Sequence, residues 1–461
     1  MKFYTLILTT ALTFPLFALE KTKTDPFKQA LMEAYQTNPD LAAAQADYRS
    51  TMENEGIAMG TFLPTLSAQG TYSNNNSSFS YTAADNPTPQ QQFAASSYTS
   101  NYNNLNLGLT AKYNIFSGLR DLANLSATQY NVMAAASALN NTESTTLTNA
   151  ITAYMDYLTK QEVLRFNLAN EQSLKAVYEA EKTKFQVGEN TKAKLLQAQA
   201  GYEGSKAQRI SAQGDVEVSR ATYQKVIGSL PGHITLPSLP KEKLPKSLSE
   251  AIDLTLERNS AIIQAKFTEK AMNEGWTVKA GAFLPTIDLQ AQWGYNWYSG
   301  ANVPSNFPHV GTNSATNPAQ NQIYSIQANW NLFNGLKDVG AFNQSIEAIQ
   351  KAKFQVESAR RTGIQTVTQG WQQLIRARDT IAAQRASIAA NTEALQALRQ
   401  GERLGTQTLL DVLNQESLLL QAQQGLATAI QQEALATFAI LNAIGALSAH
   451  ELGLVEIAQK E

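Results

Sequence analysis

"GTFLPTLSAQ" (Gly60–Gln69) and "GAFLPTIDLQ" (Gly281–Gln290) are nearly one ten-residue phrase written twice in a chain of 461 residues. The residues before each phrase follow a helical pattern, and those after it alternate as a strand does. Proline cannot continue a helix but is acceptable at the start of a strand, so Pro64 and Pro285 mark helix-to-strand corners. Gly60 and Gly281 then offer a permissive backbone where each helix ends.

Other phrases recur in the same order. Asn38 in "DPFKQALMEAYQTNPDLAAAQA" is echoed by Asn259 in "KSLSEAIDLTLERNSAIIQAKF", which, like Gly60 and Gly281, lies 221 positions on. "YNIFSGLRD" from Tyr113 returns as "WNLFNGLKD" from Trp330, now 217 positions on. "FQVGENTKAKLL" around Gly188 matches "ERLGTQTLLDVL" around Gly405, and "VIGSL" matches "AIGAL", both at 217. The spacing changes once, between Pro64 and Tyr113, where an exposed loop absorbs a length change most easily. The chain reads as a tandem repeat: 19–228, a Pro-rich linker at 229–246, then 247–447 and a tail at 448–461.

Each repeat reads helix, strand, loop, strand, long helix, tight turn, helix. The strands fall at 62–73 and 103–116, then at 283–297 and 322–333. In "TIDLQAQWGYNW" Leu289, Trp293, Tyr295 and Trp297 share one face, while Asp288, Gln290 and Gln292 share the other. "YSIQANWNLF" sets Tyr324, Ile326 and Trp330 against Ser325, Gln327 and Asn329, and "NLNLGLTAKYNIF" sets Leu105, Leu107, Tyr113 and Ile115 on one side. About ten residues of such alternation is the pattern of a barrel strand with lipid outside and a polar lumen inside. An edge strand of a soluble sandwich alternates too. Four such strands with aromatic residues near their ends, behind a secretory leader, favour the membrane.

That leader is "MKFYTLILTTALTFPLFALEK": Lys2, an apolar run from Phe3 to Phe17, then Ala18, which reads as a signal peptide over 1–18. Charged residues make up 16%, against about 25% in soluble domains, and hydrophobic residues 43%. With no cysteine there is no disulfide, thiolate metal site or cysteine nucleophile. A net charge of −2 without a dominant basic stretch argues against a nucleic-acid partner.

Gly118 and Gly335 make the return corners, and Asp121 and Asp338 sit where the helix dipole favours a carboxylate. From Gly118 to Gly188 and from Gly335 to Gly405 no proline occurs, so each run predicts roughly 105 Å of helix. Gly188 and Gly405 are the tip turns. Helices about half as long are read at 26–59, 189–227, 248–280 and 406–444. Such lengths call for side-by-side packing as a coiled-coil-like wall. Four strands cannot close a barrel, and open edges are forbidden in lipid, whereas three copies supply twelve strands and a lumen. A homotrimer is the expectation.

The duplicated FLPT corner, "F(S/N)GL(R/K)D", the tips "VG…T…LL.A" and "LGTQTLLDVLN", and the closing "IG" together resemble the TolC family of outer-membrane efflux proteins, from Phe27 to Leu447. The resemblance implies a mixed α and β membrane protein, a homotrimer whose twelve-stranded β-barrel sits in the outer membrane and continues into an α-helical barrel crossing the periplasm. It implies partners as well: outer-membrane lipid, a periplasmic adaptor protein and an inner-membrane transporter, which makes the chain an efflux or type I secretion duct. It also implies a periplasmic gate, here at Gln407, Asp411 and Asn414, with Lys194 at the matching place in the first repeat. Family members often carry an acid at the positions of Asn414 and Lys194 and a base at that of Gln407.

"TLLD" (Thr408–Asp411) also fits a helix-capping pattern, and Lys194 is in a position to pair with Asp411. Trp293, Tyr295, Trp297, Tyr324 and Trp330 are the expected lipid-facing aromatics. An enzyme is not expected: His233, His309 and His450 have no metal-ligand spacing, no phosphate loop occurs, and Glu179 and Glu181 read as solvated helix residues. No cofactor is called for. A trimeric structural or adhesive surface protein is the alternative. The stretches Ser73–Asn104 and Tyr298–Asn321 read as extracellular loops.

Overall fold

The structure, a computed structural model, describes residues 25–79, 98–299 and 319–454. Residues 1–24, 80–97, 300–318 and 455–461 lie outside that range, and with them the expected signal peptide and the middles of the two stretches read as extracellular loops. Along the chain run α1 (Pro26–Thr37), α2 (Pro39–Gly60), β1 (Thr65–Phe79), β2 (Tyr98–Phe116), α3 (Arg120–Gln186) and α4 (Lys192–Ile227). The same order then returns as α5 (Leu248–Arg258), α6 (Ser260–Ala280), β3 (Thr286–Ser299), β4 (Ala319–Asn329), α7 (Lys337–Arg403) and α8 (Leu409–Ala443). Helices α3 and α7 are each 67 residues long.

The helices read as single spans over 26–59 and 248–280 are each two helices, broken at the matched asparagines. Asn38 ends α1 and then caps α2, its side-chain oxygen accepting the N–H groups of Asp40 (2.9 Å) and Leu41 (3.0 Å). Asn259 does the same for Ala261 (3.1 Å) and Ile262 (3.3 Å). An asparagine that caps a new helix is a better partner for its orphan N–H groups than a helix interior can use.

The chain divides into two compact units. One comprises residues up to Ala42, Thr142–Thr255 and the chain from Gln365. Its core gathers Phe27, Leu31, Leu147, Ile151, Tyr154, Tyr223, Phe438 and Leu441. The Phe27 ring meets Tyr154 edge-on at 5.1 Å and Phe438 at 5.6 Å. Burying each such side chain contributes about 1.5–3 kcal/mol. The linker is stitched to this core: the Tyr154 hydroxyl donates to the Thr235 carbonyl (2.8 Å) and accepts its N–H (3.2 Å). So is the start of the tail, where Ser144 donates to the Leu447 carbonyl (2.8 Å) and Ala449 N–H reaches Glu143 (2.6 Å).

The other unit, Ala43–Asn141 with Leu256–Ile364, holds a four-stranded antiparallel sheet in the order β1-β2-β3-β4. β1 and β2 extend past the expected ends at 73 and 103, so the first loop is shorter than read. β4 stops at Asn329 rather than 333. Its last partner is Thr286, and Pro285 beyond it has no N–H to continue the ladder. At the start of β1 and β3 the prolines precede the strands, which open on Thr65 and Thr286. Near Ile115 a bulge places Phe116, not Ile115, opposite Ile287.

The glycines of the FLPT corners differ from the reading. Gly281 has φ −62°, an ordinary helical value, and Gly60 is not among the residues with positive φ. Gly281 is needed for space: a Cβ there would overlap the Gly118 carbonyl oxygen and Arg120 Cγ, whereas one on Gly60 would meet nothing. Positive φ occurs instead at the return corners, at Gly118 (69°) with Leu119 (64°) and at Gly335 (59°) with Leu336 (64°). A leucine held there costs about 1–2 kcal/mol.

Candidate functional site

The register fixes two faces on the sheet. Leu109 lies opposite Ala68 on one side and Trp293 on the other, so one face carries Leu107, Leu109, Leu289, Trp293 and Ile326. Trp293 and Tyr324 meet edge-on at 5.8 Å, and Tyr295 and Trp297 lie nearly parallel at 6.1 Å. All four rings belong to this face and are exposed. Trp330 lies past the end of β4, where its indole N–H donates to the Phe283 carbonyl (3.1 Å) of the corner that holds Pro285. The alternation lapses once: Gln322 falls on the apolar face opposite Trp293, and Ile323 on the polar one.

The polar face carries the only two charged residues of the four strands, Lys112 and Asp288, and they find each other at 3.6 Å. Asn114 donates to the second oxygen of Asp288 (2.9 Å), which is 9% exposed. The sequence reading passed over this pair, although one Lys and one Asp in strands otherwise free of charge were visible.

The second cluster of functional side chains is at the helix ends. Helix α3 ends on Gly188 (φ 83°), with Gly188 N–H on Phe185 (3.1 Å) and Glu189 N–H on Lys184 (2.9 Å). Helix α7 ends alike on Gly405 (φ 76°), with Gly405 on Glu402 (3.0 Å) and Thr406 on Gly401 (2.9 Å). Both are the double-bonded glycine cap, in which the left-handed residue lets the chain reverse. Thr191 then caps α4, accepting Lys194 N–H at 3.4 Å, and Thr408 caps α8, accepting Asp411 N–H at 3.2 Å.

Asp411 completes a capping box: one carboxylate oxygen accepts the Thr408 N–H (3.0 Å) and hydroxyl (2.6 Å). The Thr408 hydroxyl and N–H hold the Asp411 carboxyl below its usual range. Within the single chain Asp411 turns to Thr408, three residues away, because a local cap costs little chain entropy; a pairing with Lys194 at a threefold mouth is a matter for the assembly. Lys194, Gln407 and Asn414 are exposed.

Beside these turns lies a charged cluster that the sequence did not reveal. Glu181, expected to be solvated, is 3% exposed and is held by Lys184 (2.7 Å) and by Asn190. Lys184 also reaches Glu402 (3.3 Å), and its ammonium is held above its usual range first by the hydrogen bond to Glu181. Glu416, 6% exposed, takes Arg399 and the Ser173 hydroxyl (2.9 Å), while Arg399 also donates to Ser173 (2.7 Å). Helices α3, α7 and α8 are thereby tied. A heptad count places such residues on a helix flank, but their burial depends on the neighbour. Glu179 is exposed. Among the described residues no group of three His, Cys, Asp or Glu could hold a metal ion.

The outer membrane efflux protein model matches residues 30–229 and again 251–446. The outer membrane efflux protein BepC of Brucella suis is 29% identical over 432 residues, which cover 93% of this chain and 87% of BepC. The outer membrane protein TolC of Escherichia coli is 24% identical, covering 92% and 83%. The CmeC outer membrane channel of Campylobacter jejuni shares the fold, with a TM-score of 0.78 at 16% identity, over 94% of this chain and 91% of CmeC. The chain belongs to the outer membrane efflux protein family, and it is a channel protein of the outer membrane rather than an enzyme.

Proposed function

We propose that three copies of this tandem-repeat chain assemble into one passive exit duct, with twelve strands in the outer membrane and the long helices in the periplasm. The observation that carries this is the sheet: four strands, two unpaired edges and one apolar face, which lipid tolerates only in a closed barrel. Trp293, Tyr295, Trp297 and Tyr324 face lipid, and Lys112 and Asp288 face the lumen. The tip turns at Gly188 and Gly405 form the periplasmic entrance, which a periplasmic adaptor engages on behalf of an inner-membrane transporter. An adhesive role is disfavoured because an adhesin needs one stalk, not two of equal length.

At that entrance, threefold symmetry gathers three Asp411 carboxylates, with Gln407, Asn414 and Lys194 around them. A carboxylate that caps Thr408 keeps its charge and stays ionised to lower pH than an ordinary one, so the ring remains negative. The test is current through single channels in a planar bilayer. The wild type should conduct, prefer cations and be blocked by trivalent cations; Asp411→Asn should lose both preferences. A conducting Asp411→Asn channel with unchanged selectivity and block would leave Asp411 as a helix cap alone, and no conductance from the wild type would refute the duct.

A further inference from the structure

The return corners hold two side chains in a backbone conformation that side chains resist. Leu119 and Leu336 are the two non-glycine residues with positive φ among the described residues, both at 64° and 217 positions apart. Glycine would sit there without strain, whereas a leucine costs free energy that something must offset. Burial within the chain does not offset it, since Leu119 is 52% exposed and Leu336 is 68% exposed. Three residues on, Leu122 and its counterpart Val339 are exposed as well. Each long helix thus begins with a bare apolar pair.

Another copy has no flank of α3 to occupy. β2 lies between β1 and β3, and α3 follows β2. Gln129 of α3 donates to Glu55 of α2 at 3.0 Å, and Tyr130 of α3 has the Lys270 ammonium of α6 over its ring at 5.6 Å. With both flanks taken by its own chain, α3 keeps one side turned to the duct and one side turned away. Arg120 and Asp121 line a recess together with Lys112, Asn114 and Asp288 of the polar face, which marks the inner side. At about 100° per residue, Leu119 and Leu122 fall on the side of the helix opposite Arg120 and Asp121. They continue the apolar face of the sheet.

Height says what lies outside them. From Leu105 to Phe116 β2 takes eleven steps. At about 3.3 Å each and a tilt of about 40°, these rise roughly 28 Å, enough for the whole apolar band of a membrane barrel. The headgroup layer adds about 5–7 Å beyond the hydrocarbon on each side. Leu119 comes three residues after Phe116, and the same side of α3 turns polar at Ser126 and Gln129. We propose, resting on the duct reading above, that Leu119 and Leu122 form a membrane foot. They insert at the glycerol level of phospholipids in the periplasmic leaflet and set the depth at which the barrel sits, and that contact offsets the strain of the left-handed leucine. Leu336 and Val339 have the same placement, but α7 follows the edge strand β4 and has a flank open to another copy, so the first repeat gives the cleaner test.

The chain has no cysteine, so one thiol can be introduced at a time. Leu119→Cys and Leu122→Cys are labelled in the assembled protein with a thiol-reactive nitrobenzoxadiazole dye. In vesicles of phosphatidylethanolamine and phosphatidylglycerol both should emit to the blue of the same dye at Gln129→Cys. Lipids spin-labelled near the glycerol should quench them and aqueous iodide should not. The reverse should hold at Gln129→Cys and, on the inner side, at Asn124→Cys. Leu289→Cys, on the apolar face of the sheet, should be quenched by lipids spin-labelled deep in the acyl chain. If Leu119→Cys fails to assemble, Leu122→Cys carries the test alone. Iodide quenching at 119 and 122 equal to that at 129 overturns the foot. So does a dye that neither quencher reaches, which would place protein over the leucines. Either leaves the duct standing. No lipid quenching at Leu289→Cys would instead refute the outward face of the duct reading, and the foot with it.

Discussion

Replacing Gly281 with alanine tests whether the repeated corner needs glycine for backbone freedom or for space. A Cβ at 281 would overlap the Gly118 carbonyl oxygen and Arg120 Cγ. Neither can yield freely: Gly118 sits in a left-handed turn, and Arg120 Nε is bonded to the Ser117 carbonyl at 2.7 Å. Overpacking against such neighbours costs about 1–3 kcal/mol. Gly60 is the counterpart in the first repeat, where a Cβ would meet nothing within 4 Å. It is the last residue of α2, so alanine there should be neutral or stabilise by up to about 1 kcal/mol. The two variants should therefore differ by about 1–4 kcal/mol, in favour of Gly60→Ala. Guanidinium unfolding of the detergent-solubilised protein, followed by far-UV circular dichroism, compares their midpoints. Arg120→Ala should restore part of the loss in Gly281→Ala, because it removes one of the two overlaps. Equal losses at 60 and 281 would refute the argument from space and return both glycines to a shared backbone role.

Leu289→Arg should block assembly, since a charge on the lipid face at mid-membrane costs about 2–4 kcal/mol per chain, while Gln292→Arg on the polar face should assemble. The amount of heat-modifiable trimer in outer membranes reads this, and equal effects would mean the faces are reversed. Arg399→Ala should destabilise more than Glu416→Gln. The first strands a carboxylate that is 6% exposed, whereas the second leaves an arginine whose side chain is 42% exposed and can turn to water. Chemical denaturation of the two variants gives the order. Burial, with the charges of Tyr154 and Glu33 behind it, pushes the Tyr223 hydroxyl up to about 12 from 10.0. Below pH 10 the unfolded and folded tyrosine both keep the proton. Between 10 and about 12 only the unfolded one loses it, so stability falls as pH rises through that window. Phenolate absorbance should show a tyrosine fraction that ionises only as helical signal is lost. Complete titration near pH 10 with the helices intact would contradict the packing of Tyr223.

The strands were legible because alternation is a property of the chain itself: Leu289 and Gln290 point apart whatever surrounds them. The corners were legible as places, through Pro64 and Pro285, but not as mechanisms. Whether Gly281 is needed depends on Gly118 crossing it, and nothing near Gly281 in sequence announces that contact. Glu181 and Glu416 were misjudged or missed for a similar reason. A carboxylate on a helix flank looks solvated until packing encloses it: Glu416 meets Arg399 and Ser173 from two other helices, whereas Glu181 is buried although the lysine that holds it, Lys184, comes from its own helix. The breaks at Asn38 and Asn259 were within reach, since both asparagines had been matched and one precedes a proline. Helical periodicity on either side outweighed them.

The two-faced strands also bear on how such a protein reaches its membrane. A polypeptide that alternates Leu107 with Gly108 and Trp293 with Gln292 has no greasy stretch along its length; its greasy side exists only across neighbouring strands. Threaded through the inner membrane as an extended chain, β1 to β4 present an averaged, mostly polar ribbon, with no run of apolar residues long enough to stall there as a spanning helix. Affinity for lipid is switched on by strand pairing itself. The hydrogen bonds that build the sheet also convert an exportable chain into one that can no longer leave the membrane it has entered.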